Sequence, residues 1–250
     1  MIVQTNAPAG AFSAIASKYA GGLNIQAGAT GGLTGDRQND TRPFWGGSAI
    51  WSGTPCSSGF MAKAHSGTLT YLSTAGHCYA VGAKITTAGS AVLGMITGRD
   101  WPTYEIEWIN GGLYSPYIYN GAKGDEVSNV PVYGVSSNWV GRSGYCRTGS
   151  VSGRICDWTV GSTDASFCSA DYGLPLKCTD YVNAFSGTTP QKGDSGGPVY
   201  RPYNGGALIT GGIIGYFCTI FGCTSYGEKA NAALGRWNLD LVCAGTCTNG

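Results

Sequence analysis

Apolar residues along this chain fall in short segments broken by Gly and Ser. Ser66–Ser73, Ala83–Thr87, Ala91–Thr97 and Tyr104–Ile109 read as strands of a first half. Val130–Val135, Ser150–Val160, Thr179–Phe185, Gly197–Arg201 and Leu208–Tyr216 read as strands of a second. Turn signals recur roughly every 8–12 residues, the spacing of sandwiches and barrels. One stretch differs. From Glu228 to Val242, the residues Ala230, Ala233, Leu234, Trp237 and Leu241 fall near a 3.6-residue period and predict a C-terminal helix. Ahead of Phe44 the chain is rich in Gly, Ala and Thr, with weak periodicity from Ile15 to Ile25. The polar run from Thr34 to Pro43 reads as a linker.

Composition narrows the class. Glycine takes 42 of the 250 positions, well above the usual ~7%, and glycine weakens helices through its backbone entropy. No Gly-X-Y period is present, so collagen is excluded. A 42% hydrophobic share with 12% charged residues argues against disorder. A net charge of +1 gives no electrostatic case for nucleic acid or an anionic membrane. No run of 18 apolar residues exists to span a bilayer. Residues 1–30 lack a basic start and a continuous apolar stretch, so no signal peptide is expected, and a secreted form would be a processed or recombinant one. The length suits one large domain or two small ones. The expected fold class is all-β.

Ten cysteines, at short local separations, suggest disulfides formed in an oxidising compartment. Zinc is the alternative. It wants closely spaced ligand pairs, but Cys243 and Cys247 are the one tight cysteine pair, and His65 and His77 are the only histidines.

Two segments carry candidate chemistry: Thr74-Ala75-Gly76-His77-Cys78 and Gly193-Asp194-Ser195-Gly196-Gly197-Pro198. Either alone has a bland reading, a structural histidine or a glycine turn. Together they resemble the trypsin/chymotrypsin-like serine proteases, most closely the secreted bacterial branch of the streptogrisins and α-lytic protease. The resemblance covers most of residues 44–242. It implies two antiparallel six-stranded β-barrels with a C-terminal helix. The first barrel would span 44–128, the second 129–250, with 1–43 an N-terminal extension or pro-segment remnant. It also implies a secreted endopeptidase with no cofactor and no metal, acting as a monomer on protein or peptide substrates.

A serine hydroxyl is a poor nucleophile until an imidazole accepts its proton. By the resemblance Ser195 is the nucleophile and His77 the base, and His65 is more simply a loop residue. The glycines around Ser195 permit a tight turn aiming the N–H groups of Gly193 and Ser195 at an oxyanion. Asp194 is not the triad acid; the resemblance pairs it, buried, with Arg147. It likewise implies the disulfides Cys56–Cys78 and Cys146–Cys156. Cys218–Cys223 would stiffen the pocket edge, and Cys168–Cys178 and Cys243–Cys247 are the simplest completion.

The third triad member departs from the pattern. The family places an Asp before a strand, and the best register over Trp101-Pro102-Thr103-Tyr104-Glu105-Ile106-Glu107-Trp108-Ile109 puts Glu105 there. Asp100 is the alternative, and the absence of a working acid is a third possibility. Glu107 lies on the same strand face as Glu105 and reads as an exposed or hydrogen-bonded carboxylate. For specificity, Ile214, Gly215, Tyr216 and Phe217 replace the usual pocket edge, with Gly215 in place of Ser. No acid stands among residues 188–192, so a preference for Lys or Arg is unsupported, and a small or shallow apolar primary site is expected. Two other classes remain: a catalytically weak or inactive homologue that binds a protein, and a carbohydrate-binding β-domain suggested by 15 Tyr and 7 Trp.

Overall fold

The structure is a computed structural model that describes residues 2–5, 24–27, 35–169 and 176–249. They fall into two units divided after Gly35. In the first, Ile2–Thr5 pairs in parallel with Asn24–Ala27. The stretch from Ile15 lies outside the described residues until that second strand.

Two sheets make up the second unit. One has eight strands in the order Leu239–Leu241, Met61–Ala64, Thr70–Thr74, Glu107–Asn110, Val92–Arg99, Lys84–Thr86, Ala49–Trp51, Pro55–Ser57, every pairing antiparallel. Its strands alternate as a half-buried sheet should: in Val92–Arg99, Met95 and Thr97 face out while Ile96 and Gly98 face in. Ile50, Cys56, Leu72, Ile85, Leu93 and Ile109, drawn from along the whole strand order, meet in one core. The sheet is therefore curled around that core.

The other sheet contains a closed ring. Pro198–Tyr203 pairs with Tyr145–Gly149, which leads through Gly153–Ser169, Lys177–Ser186 and Gly222–Lys229 to Gly206–Thr219, and this last strand pairs back with Pro198–Tyr203. All six contacts are antiparallel. Closure removes the exposed edges an open sheet would present. Inside, Trp158 stacks on Phe185 with ring centroids 4.5 Å apart, among Tyr145, Val160, Val199 and Ile213. Asn129–Val135, Tyr114–Tyr119 and Phe44–Gly46 extend the ring at Gly206–Thr219. A further core joins the two halves, with Phe60 and Trp108 from one sheet, Tyr200 and Ile209 from the other, and Ala233 and Leu234 from the helix.

All ten cysteines are paired, as Cys56–Cys78, Cys146–Cys156, Cys168–Cys178, Cys218–Cys223 and Cys243–Cys247. No helix among the described residues is long and apolar enough to cross a membrane.

The structure corrects two local expectations. The helix covers only Ala230–Trp237. Glu228 still belongs to a strand, and Asn238 adopts the left-handed conformation (φ 50°, ψ 50°) that ends a helix. Leu241 then matches the helical period by coincidence, being buried on a strand. The linker reading fails from residue 36 onward. Arg37 is fully buried, donates from Nη2 to the Gly121 carbonyl at 2.7 Å and lies 3.7 Å from Glu126. The Asp40 carboxylate accepts the Tyr119 hydroxyl at 2.8 Å and the Trp45 N–H at 2.8 Å. Polar residues sit inside here because partners distant in the chain, Gly121 and Glu126 for Arg37 and Tyr119 for Asp40, fold back to meet them.

Candidate active site

His77 follows the strand Thr70–Thr74, in the turn that its own disulfide pins to Pro55–Ser57. Its Nδ1 is hydrogen-bonded to Glu105 Oε1. Glu105 is buried in the turn that precedes Glu107–Asn110. Gly76 makes this approach possible: a Cβ there would stand 2.7 Å from Glu105 Oε2 and 2.9 Å from the Ile106 nitrogen. The other candidates lie elsewhere. Asp100 accepts from Arg236 Nε at 2.5 Å, and His65 is exposed, with Nδ1 3.1 Å from Asp240 Oδ1.

Ser195 is tied to the same turn through one short path. Its carbonyl accepts the Ser57 N–H at 2.8 Å, and Ser57 adjoins Cys56, which is bonded to Cys78 beside His77. In this rotamer the Ser195 hydroxyl donates to the Ile214 carbonyl at 3.2 Å. Around it, the N–H groups of Asp194, Gly196 and Gly197 donate to Gln191, Ile213 and Asp194 carbonyls. Those of Gly193 and Ser195 have no acceptor among the described residues, which leaves two donors at the turn. Gly193 has φ +103°, a conformation that side chains disfavour.

Asp194 turns away into the interior. Its carboxylate accepts the N–H groups of Val151 (3.0 Å), Ser152 (2.9 Å) and Gln191 (2.8 Å) and the Ser152 hydroxyl. Arg147, equally buried, places Nη1 3.4 Å from Asp194 Oδ2. The same guanidinium donates to the Thr189 carbonyl at 2.8 Å and lies 5.5 Å from the Trp158 ring centroid.

Of the pocket-edge residues, Ile214 is buried against Phe167 and Val182, while Tyr216 and Phe217 are exposed. They stand on the hairpin of Gly206–Thr219 and Gly222–Lys229, closed by Cys218–Cys223. A Cβ on Gly215 would lie 3.3 Å from the Phe167 ring, and that ring packs on Tyr226 with centroids 4.9 Å apart. Phe167 and Tyr226 were not among the sequence candidates. Their one signal was an aromatic beside Cys168 on a paired strand.

Two further groups, Arg99 and Glu228, were also missed, and Glu107 differs from its reading. Arg99 donates from Nε to the Gly76 carbonyl at 2.6 Å. Glu107 is not exposed, as one reading had it. It is fully buried because Glu107–Asn110 is covered on both faces, and its Oε2 lies 3.9 Å from Arg99. Burial pushes its carboxyl up to about 9, Arg99 opposes that rise and Glu105 adds to it. Glu228 receives the Glu105 N–H at Oε2 (2.7 Å) and the Lys229 N–H at Oε1 (2.8 Å). Burial raises it to about 7 against those two hydrogen bonds. An open cavity of about 410 Å³ lies beside the imidazole, lined by Ser52, His77, Tyr79, Ala83 and Arg99. Cys56, His77 and Cys78 bring their heteroatoms within 4.8 Å, but the two sulfurs are bonded to each other and are not thiolate ligands.

No protein-family model matches the chain, and a search of curated proteins finds no match. Solved structures do match. Thermobifida fusca protease A aligns over 80% of this chain and 98% of its own, at 23% identity and a TM-score of 0.65. Nocardiopsis protease aligns over 79% and 97%, at 26% identity and a TM-score of 0.64. A glutamic-acid-specific serine protease, described as using a histidine triad in substrate binding, aligns over 79% and 100%, at 22% identity and a TM-score of 0.65. The chain shares the fold of bacterial serine proteases of the chymotrypsin type, which is consistent with a serine endopeptidase.

Proposed function

We propose that this chain, built on the bacterial chymotrypsin-type protease fold, is a secreted serine endopeptidase that cleaves peptide bonds through an acyl-enzyme. Ser195 attacks the carbonyl carbon, and His77 Nε2 takes its proton and later passes it to the leaving amine. Glu105 holds the imidazole by Nδ1, fixing the tautomer in which Nε2 is the proton acceptor. The N–H groups of Gly193 and Ser195 receive the oxyanion; each such donor is worth ~2.7–4 kcal/mol in the transition state. Arg147 and Asp194 hold the turn that presents them. Water then hydrolyses the ester by the same base.

The observation that carries this reading is the His77–Glu105 hydrogen bond, with Ser195 anchored to the same turn through Ser57 and the Cys56–Cys78 bond. The Phe167 ring against Gly215 supports a small or shallow apolar primary site. Five disulfides support secretion. Substrates are proteins or peptides, taken by a monomer, with no part for nucleic acid.

One observation favours the second reading, an inactive protein-binding homologue: the Ser195 hydroxyl donates to Ile214 rather than to the imidazole. A fluorophosphonate probe separates the two. Labelling that disappears in Ser195→Ala, with casein hydrolysis blocked by the probe, supports the protease. An intact protein that neither labels nor cleaves casein refutes it.

A further inference from the structure

The helix Ala230–Trp237 starts without a cap. Helix N-termini carry unpaired N–H groups and a partial positive charge, usually met by a Ser, Thr, Asp or Asn cap or by an acid in the first turn. Here the cap position is Lys229, no side chain caps the backbone, and the first turn holds no acid. The start of the helix opens into a cavity of about 270 Å³ lined by Ser137, Asn138, Thr163, Asn183, Lys229 and Asn231, among others.

A second observation is independent of the helix. Asn183, on the strand Lys177–Ser186, is 1% exposed and lines this cavity, yet among the described residues neither its Oδ1 nor its Nδ2 has a hydrogen-bond partner. A buried amide is costly to leave unsatisfied, so this side chain points to a polar partner at the site. The lining supplies the matching chemistry: the Lys229 ammonium, amide N–H₂ groups, the hydroxyls of Ser137 and Thr163, and the first-turn N–H groups, with no carboxylate among the lining residues. Two acids adjoin lining residues along the chain: Glu228 has both carboxylate oxygens engaged by the N–H groups of Glu105 and Lys229, and Asp164, next to Thr163, is exposed.

We propose that this cavity binds a small oxyanion, of the class of inorganic phosphate or sulfate, which caps the helix and pairs with Lys229 and Asn183. The arrangement is that of an anion seated at a helix N-terminus, and it shares no lining residue with the cavity beside His77.

The test titrates phosphate, sulfate and chloride into the intact protein at constant ionic strength, reading amide NMR shifts and Tm. The expected result is a saturable shift of the Ala230, Asn231 and Ala232 amides and of the Asn183 side-chain N–H₂ with phosphate or sulfate, with a rise in Tm. Lys229→Gln should weaken binding by about tenfold, the size of one good charge contact, while Lys123→Gln, at an exposed lysine elsewhere, leaves it unchanged. Equal effects of chloride, shifts confined to other residues, or undiminished binding in Lys229→Gln overturns the proposal. Because the readout is binding, it stands whether or not the protein cleaves peptides.

Discussion

The carboxylate of Glu228 accepts the backbone N–H of Glu105 at 2.7 Å, so a residue of the closed barrel fixes the main chain of the acid that meets His77. Glu105, Glu107 and Glu228 thus stand as three buried carboxyls in one region. Their division of labour can be tested residue by residue.

On the proposed mechanism, Glu105→Gln removes the charge that would orient and stabilise the imidazolium. Loss of that charge at a triad costs roughly 10⁴-fold in kcat. Asp100→Asn breaks only the contact with the partly exposed Arg236 and should change kcat little. Steady-state hydrolysis by the two variants decides between the acids: collapse in Asp100→Asn with activity kept in Glu105→Gln reverses the assignment.

Glu107 sets a pH dependence of stability. Its folded carboxyl, raised to about 9, keeps a proton that the unfolded chain releases near ~4.3. The folded state therefore binds more protons, and stability falls as pH rises through that window, by about 1.4 kcal/mol per pH unit for one such group. Glu228, raised to about 7, acts in the same direction over a narrower range. Tm of the wild type should fall from pH 5 to 9, and Glu107→Gln should flatten the decline. Parallel Tm curves for the two proteins refute it.

Arg147→Met leaves Asp194 buried without its cation. Breaking a buried pair costs ~3–5 kcal/mol, and the turn bearing Gly193 and Ser195 loses its support from below. Denaturant unfolding should show that loss, and Arg147→Met with Asp194→Asn should recover part of it. A double variant no better than the single one contradicts the pairing.

Phe167→Ala opens the space beside Gly215. A panel of chromogenic peptides should then shift toward larger apolar residues at the cleavage site, with kcat/KM for the smallest falling or unchanged. An unaltered ranking places the primary site elsewhere.

How much of this the sequence revealed follows from distance along the chain. The segments around His77 and Ser195 are legible because the turn chemistry needs particular residues side by side. The disulfides Cys168–Cys178 and Cys243–Cys247 are legible because their partners are near in sequence, while Cys56–Cys78 and Cys146–Cys156 follow from the family resemblance. Glu228 reads as the start of a helix, because its link to Glu105 spans 123 positions and arises from barrel register, which no local pattern encodes. Phe167 is hidden for the same reason. Arg37 and Asp40 looked like linker residues because polar composition says nothing about whether Glu126 and Tyr119 will fold back to receive them.

The strand Leu239–Leu241 pairs with Met61–Ala64 of the eight-stranded sheet, although the whole closed barrel lies between them in the chain. Nascent chains emerge from the ribosome in order, and contacts of long sequence separation form late. The sheet that carries His77 is therefore completed by a strand that follows the whole barrel carrying Ser195 in sequence. A chain ending before Leu239 would hold both chemical segments but leave the Met61–Ala64 edge of that sheet without its strand partner.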